Sequence, residues 1–104
     1  MHLLIEKNKP DIIQLCKKHH VKELYLFGSI VRDDFTPESD VDFLVVYDNK
    51  LAEPKDRVLN EDALRESLQK LLQKEVDLVQ LNRIRNKYLR YFIDKEKKLL
   101  YAEA

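Results

Sequence analysis

Tryptophan is absent from this 104-residue chain, and glycine and cysteine occur once each. A single cysteine, Cys16, excludes an internal disulfide framework and fits a reducing compartment. Neither sign of charge is in excess: 19 Lys and Arg balance 19 Asp and Glu, for a formal net charge of zero. A protein that follows a nucleic-acid backbone carries a clear basic surplus, so direct nucleic-acid binding is not expected. Long apolar runs are missing as well. Met1 to Ile5 is too short for a signal peptide and is interrupted by Glu6. No stretch approaches the roughly 20 apolar residues of a membrane helix. The expectation is a soluble cytoplasmic protein with no membrane association. Repeats, linkers and low-complexity tracts are also lacking, so residues 1–104 read as one domain.

What is present is a globular composition, 44% hydrophobic and 37% charged. Asn8 is the expected cap of a first helix, with Pro10 in its first turn and Ile12, Leu15 and Cys16 on one face, running to about Lys18 or His19. Val21 to Phe27 reads as a strand, and a short irregular or helical piece follows from Ile30 to Phe35. Val41 to Tyr47 reads as a second strand. The stretch from Leu51 to Asn60 is ambiguous. Asn60 is the expected cap of a helix in which Leu64, Leu68, Leu71 and Leu72 recur at helical spacing, to about Lys74. Val76 to Leu81 reads as a third strand. Ile84, Tyr88, Tyr91 and Phe92 mark a last helix with an aromatic face expected in the core. Lys98 to Tyr101 forms a short final strand. The class is α/β (α+β), a small mixed sheet covered by helices. The helix between the second and third strands allows those two to lie parallel.

The sole glycine, Gly28, stands with Ser29 at the exit of the first strand. A phosphate needs backbone N–H donors aimed at it and a turn without a Cβ in the way. Gly28 supplies the clearance, and the Ser29 hydroxyl adds a donor. Downstream, Asp40-Val41-Asp42 opens the second strand, so the two carboxylates share one side of an extended chain. They repel unless a cation sits between them, and Mg²⁺ favours one or two carboxylates plus substrate phosphates. Asp77 lies within the apolar run Val76 to Val79, where an unpaired charge is costly. It would complete a metal site or take the attacking proton. Arg32 braces an aspartate or meets a phosphate. His19 and His20 read as a solvated helix end. Arg83, Lys87 and Arg90 form a basic stripe that is either a solvated face or a contact for triphosphate or an acidic partner.

The run from Gly28-Ser29 through Ser39-Asp40-Val41-Asp42 resembles the Gly-Ser…Asp-x-Asp signature of the DNA polymerase β-type nucleotidyltransferases. The whole chain, with Val76-Asp77-Leu78-Val79 and Leu99-Leu100-Tyr101, resembles the minimal nucleotidyltransferases (MNT). Val31-Arg32-Asp33 stands where many relatives have Ala-Arg-Gly. The resemblance implies the minimal nucleotidyltransferase fold and transfer of a nucleoside monophosphate from a triphosphate. It implies Gly28 and Ser29 on the phosphates and Asp40, Asp42 and Asp77 on Mg²⁺, two ions in the full site. It further implies an antitoxin that moves AMP from ATP to a tyrosine of a HEPN-type RNase toxin. Two alternatives are a small-molecule nucleotidyltransferase of the antibiotic-modifying kind and a non-catalytic antitoxin acting by binding alone.

Overall fold

Alternation along the second strand sets the architecture. Val41, Phe43 and Val45 are fully buried on one side of the chain, and Asp42 and Leu44 point to the other. The computed structural model describes residues 1–103. Its elements run α1 (Leu3–Lys18), β1 (Val21–Phe27), α2 (Ser29–Arg32), β2 (Val41–Tyr47), α3 (Pro54–Leu72), β3 (Val76–Gln80), a 3-10 turn (Leu81–Arg83), α4 (Lys87–Glu96) and β4 (Lys98–Ala102). The strands form one mixed sheet in the order β3-β2-β1-β4. β1 is antiparallel to β2 and β4, and β2 is parallel to β3 across the α3 crossover.

One face of this sheet carries the main core. Ile5, Ile12 and Cys16 of α1 and Leu64, Leu68 and Leu72 of α3 pack with Leu24, Leu26, Val41, Phe43, Val45 and Leu100. Burial pushes the Cys16 thiol up to about 12, so it stays protonated and inert at neutral pH. The opposite face has a smaller cluster, Leu44, Leu81 and Ile93, with Tyr25, Phe27, Val46 and Ile84 against it. Among the described residues no helix is long and apolar enough to cross a membrane.

Several boundaries differ from the sequence expectation. α1 starts at Leu3, not after Asn8, because Ile5 continues the buried stripe and His2 Nδ1 accepts from the Leu4 N–H at 3.0 Å. Pro10 therefore sits inside the helix, and the Asn8 side chain donates to the Leu4 carbonyl at 2.8 Å. α3 starts at Pro54, where proline's fixed φ suits the first turn, so Asn60 is interior rather than a cap. Asn60 instead ties α3 to the end of α1: its Nδ2 donates to the His19 carbonyl at 2.7 Å, and its Oδ1 lies 3.2 Å from His19 Nδ1. His19 is accordingly buried and not a solvated helix end. α3 stops at Leu72, with Gln73 left-handed at φ 54°. β3 is one residue shorter than expected, since Leu81 opens the 3-10 turn.

The largest departure is α4. Its cap is Asn86, whose Oδ1 accepts from the N–H groups of Tyr88 and Leu89 at 3.0 and 3.1 Å. Ile84 lies before the helix, and Ile93 is its buried residue. The aromatic face expected in the core points outward: Tyr88 is 82% exposed and Phe92 62%. A ten-residue helix buries only the narrow side that meets the sheet, and here that side is Ile93.

Candidate active site

Three strand ends build the site. β1 ends at Phe27, which pairs with Asp42 at the start of β2. Asp42 pairs in turn with Asp77 on β3. Paired residues share a face, so Asp42 and Asp77 stand side by side on the face opposite the main core. Gly28 follows at the exit of β1 with φ 83° and ψ −150°, a conformation that only glycine adopts without strain. A Cβ on Gly28 would collide with Asp42 Oδ2. The sole glycine is thus required twice, by its backbone angles and by the carboxylate pressed against it.

The chain then turns into α2. The Gly28 carbonyl accepts from Val31 and Arg32 at 3.0 and 3.3 Å, which leaves the Ser29 and Ile30 N–H groups at the open start of the turn. Asp33 closes it in the left-handed region at φ 67°, a conformation that aspartate tolerates better than most residues. The 36–39 turn sets the approach to β2. Thr36 N–H donates to Ser39 Oγ at 2.9 Å, Ser39 N–H donates to the Thr36 carbonyl at 3.0 Å, and Lys74 donates to the Thr36 and Pro37 carbonyls. The Val41 N–H donates to the Glu75 carbonyl, locking the start of β2 to β3.

The electrostatics centre on Asp42. Burial, then the charges of Asp77 and Asp40, hold its carboxyl above the ordinary value, and Arg32 partly offsets them. The guanidinium of Arg32 is held by Glu96 of α4, Nη1 to Oε1 at 2.8 Å, with Asp34 at 3.8 Å. Sequence reasoning proposed a brace for Arg32 but missed Glu96, which lies 64 positions away with no local signal.

Asp40 and Asp77 are exposed, so the apolar flanks of Asp77 do not enclose it as the sequence suggested. Val76 and Leu78 turn to the core, while Asp77 and Val79 turn outward. Arg83 sits in the 3-10 turn, and Arg90 pairs with Asp94 at 3.1 Å and donates to the Leu81 carbonyl, so the three cations do not form a single free stripe. The site is an open strand edge. A hollow of about 510 Å³ lies elsewhere, lined by His20, Tyr47, Asp48, Arg57 and Arg83 near the far end of β2.

Among the described residues no three His, Cys, Asp or Glu side chains form a preformed metal cluster. The donor set still suits Mg²⁺: hard carboxylate oxygens, on neighbouring strands, beside a glycine that keeps the approach open. That ion takes one or two carboxylates and completes its shell with phosphate and water, so a three-carboxylate cage is not required.

A strand-exit glycine thus packs on the first of two registered aspartates at one end of a small mixed sheet. The chain belongs to the family described as Polymerase beta, Nucleotidyltransferase, whose model matches residues 10–104. A relative in Methanocaldococcus jannaschii, provisionally named protein adenylyltransferase MJ0126, is 31% identical over 89% of this chain and 87% of its own. A chain of a toxin–antitoxin complex crystallised with AMP-PNP superposes with a TM-score of 0.71 and 26% identity, covering 92% of this chain and 74% of that one. A complex of a tri-AMPylated Shewanella oneidensis HEPN toxin with an MNT antitoxin matches at 24% identity and a TM-score of 0.63, over 94% of this chain and 72% of that one. At that identity the likeness is one of fold, and the fold is that of the minimal nucleotidyltransferases.

Proposed function

We propose that this chain transfers AMP from Mg²⁺-bound ATP to a tyrosine hydroxyl of a HEPN-type toxin and acts as its antitoxin. The observation that carries the reading is Gly28 packed on Asp42, with Asp77 in register beside it. The toxin–antitoxin complex with AMP-PNP and the adenylyltransferase name of the M. jannaschii relative support the nucleotide and the class of acceptor.

In this reading the N–H groups at the start of α2 and the Ser29 hydroxyl hold the outer phosphates. Gly28 lets the triphosphate lie close to the strand end. Asp40 and Asp42 hold Mg²⁺, and Asp77 either completes that set or accepts the proton of the acceptor. The metal supplies charge neutralisation at the α-phosphate and the leaving group. The acceptor oxygen forms a bond to the α-phosphorus, the bond from that phosphorus to the bridging oxygen breaks, and pyrophosphate leaves. Asp77 is exposed on the edge strand β3, open to an incoming hydroxyl. Arg32, held by Glu96, partly offsets the charges that raise Asp42.

The test is direct. The purified chain is incubated with labelled ATP, Mg²⁺ and a purified HEPN-type protein. Substoichiometric chain is expected to label most of the toxin on tyrosine, and the double variant Asp40→Asn, Asp42→Asn to leave it unlabelled while still binding it. Neutralisation at stoichiometric ratio without label supports the binding-only alternative, and label that persists in the double variant overturns the site.

A further inference from the structure

The sheet face that bears Asp42 and Asp77 is only partly covered. Leu99 of β4 pairs with Tyr25, which pairs with Leu44, so all three share the face of Asp42. Leu99 is exposed, as is Val79, two residues along from Asp77 on β3. Over this face lies α4, seated by Ile93. Leu89, Phe92 and Glu96 recur at helical spacing, and Glu96 bonds Arg32, so Leu89 and Phe92 lie along the side of α4 turned toward the catalytic turn. Tyr88 and Tyr91 continue the strip outward, Tyr91 in edge contact with Phe92 at 5.5 Å between centroids. A run of Leu89, Phe92, Tyr88 and Tyr91, all exposed, exceeds the scattered apolar residues of an ordinary surface.

Along the outward side of α4 the unengaged charges are cationic, while the carboxylates of Asp40, Asp42 and Asp77 stand at the strand-end edge beyond it. Both acids of α4 are engaged, Asp94 with Arg90 and Lys97, and Glu96 with Arg32. Among the described residues, Arg85 and Lys87 at the start of α4 make no ion pair or side-chain hydrogen bond, and the Lys95 ammonium lies 4.7 Å from the Tyr91 ring centroid. An apolar strip with unpaired cations at its edge complements an acidic surface that carries apolar side chains. A nucleic acid would use the same cations. The strip's aliphatic members, Leu89 and Leu99, and the chain's zero net charge favour a protein.

We propose that the outward side of α4, with Leu99 and Val79, is the surface on which an acidic segment of the acceptor protein docks to bring its hydroxyl to the Asp42–Asp77 edge. The proposal rests on the adenylyl-transfer reading above for its choice of partner. The docked segment meets Phe92 and Tyr88 as anchors, and Arg85 and Lys87 steer its approach.

The probe is a purified HEPN-type protein, with binding followed by calorimetry without nucleotide and transfer followed with labelled ATP. Phe92→Glu, at an exposed position, is expected to keep the wild-type melting temperature and its Mg²⁺-ATP shift. It is expected to weaken partner binding about tenfold or more, as loss of an aromatic anchor does, and to raise the partner concentration for half-maximal transfer in proportion. Lys87→Glu is expected to give a smaller loss that disappears at high salt. Wild-type binding by both variants overturns the proposal, as does failure of the wild-type chain to bind this partner. Loss of labelled RNA binding with partner binding unchanged assigns the strip to nucleic acid and overturns it too. So does a wild-type dimer that Phe92→Glu converts to monomer. Partner binding without any AMP transfer defeats the catalytic reading and leaves this surface standing, so the two failures are distinguishable.

Discussion

The two faces of the sheet are finished to different degrees. On one, α1 and α3 close over Phe43, Val41, Val45, Leu24 and Leu26, none of which is more than 1% exposed. On the other, a single ten-residue helix covers Leu44 and leaves Asp42, Asp77, Val79 and Leu99 to solvent or to whatever binds them. Both faces come from the same strands, alternating residue by residue. Stability is therefore concentrated on the odd positions of β2 and chemistry on the even ones. On the proposed function this face admits a triphosphate and a second protein, and such a face cannot also be packed shut.

This division predicts a wide gap between two phenylalanines. Phe43→Ala empties a fully buried site and is expected to lower stability by about 3–5 kcal/mol in chemical denaturation. Phe92→Ala removes a ring of similar size from the open face and is expected to stay within about 0.5 kcal/mol of wild type. A large loss for Phe92→Ala would mean that the open face is as closed as the other and would erase the contrast.

Gly28 lies where the faces meet, and the effect of replacing it is expected to be intermediate in stability and severe in function. Gly28→Ala forces a Cβ onto the Asp42 carboxylate and holds a side chain at φ 83°. Strain of this kind is of order 1–3 kcal/mol. Denaturation should show that loss, and Mg²⁺-ATP should no longer raise the melting temperature. A Gly28→Ala variant with wild-type stability and nucleotide response would make the turn an ordinary strand ending.

Most of the closed face was legible in the sequence. β1 and β2 fall on the expected residues because an apolar run bounded by turn residues has few other ways to be buried. The Gly28, Asp42 and Asp77 positions were legible for a related reason: rare or charged residues at strand ends carry their own signal. Helix starts were less so. Pro10 and Pro54 carry the same local signal, yet one is interior to α1 and the other opens α3, and only the burial of Ile5 and the seating of Asn60 against His19 decide between them. The exposed aromatics of α4 were misplaced because periodicity reports that a stripe exists, not whether the fold supplies anything to cover it. The Arg32–Glu96 bond joins positions 64 apart and needs the folded chain to be seen.

The smallest effect expected concerns Asp42 itself and runs opposite to the others. Its carboxyl is held above the ordinary value by burial, reinforced by Asp77 and Asp40. Between the ordinary value and the raised one, the folded protein keeps a proton that the unfolded chain has released. Stability therefore falls as pH rises through that window, and the deficit is complete above it. Asp42→Asn removes the charge that burial and the neighbouring carboxylates oppose. The variant should match wild type in acid, become the more stable of the two as pH rises through the window, and keep a constant advantage toward neutrality. Thermal unfolding across a pH series without nucleotide measures this, and with Mg²⁺-ATP present the order should reverse, since only wild type gains from binding. An Asp42→Asn variant that is less stable than wild type at neutral pH without nucleotide would show that the carboxylate is a structural partner of Gly28 and Arg32 and not a strained group kept for the chemistry of the open face.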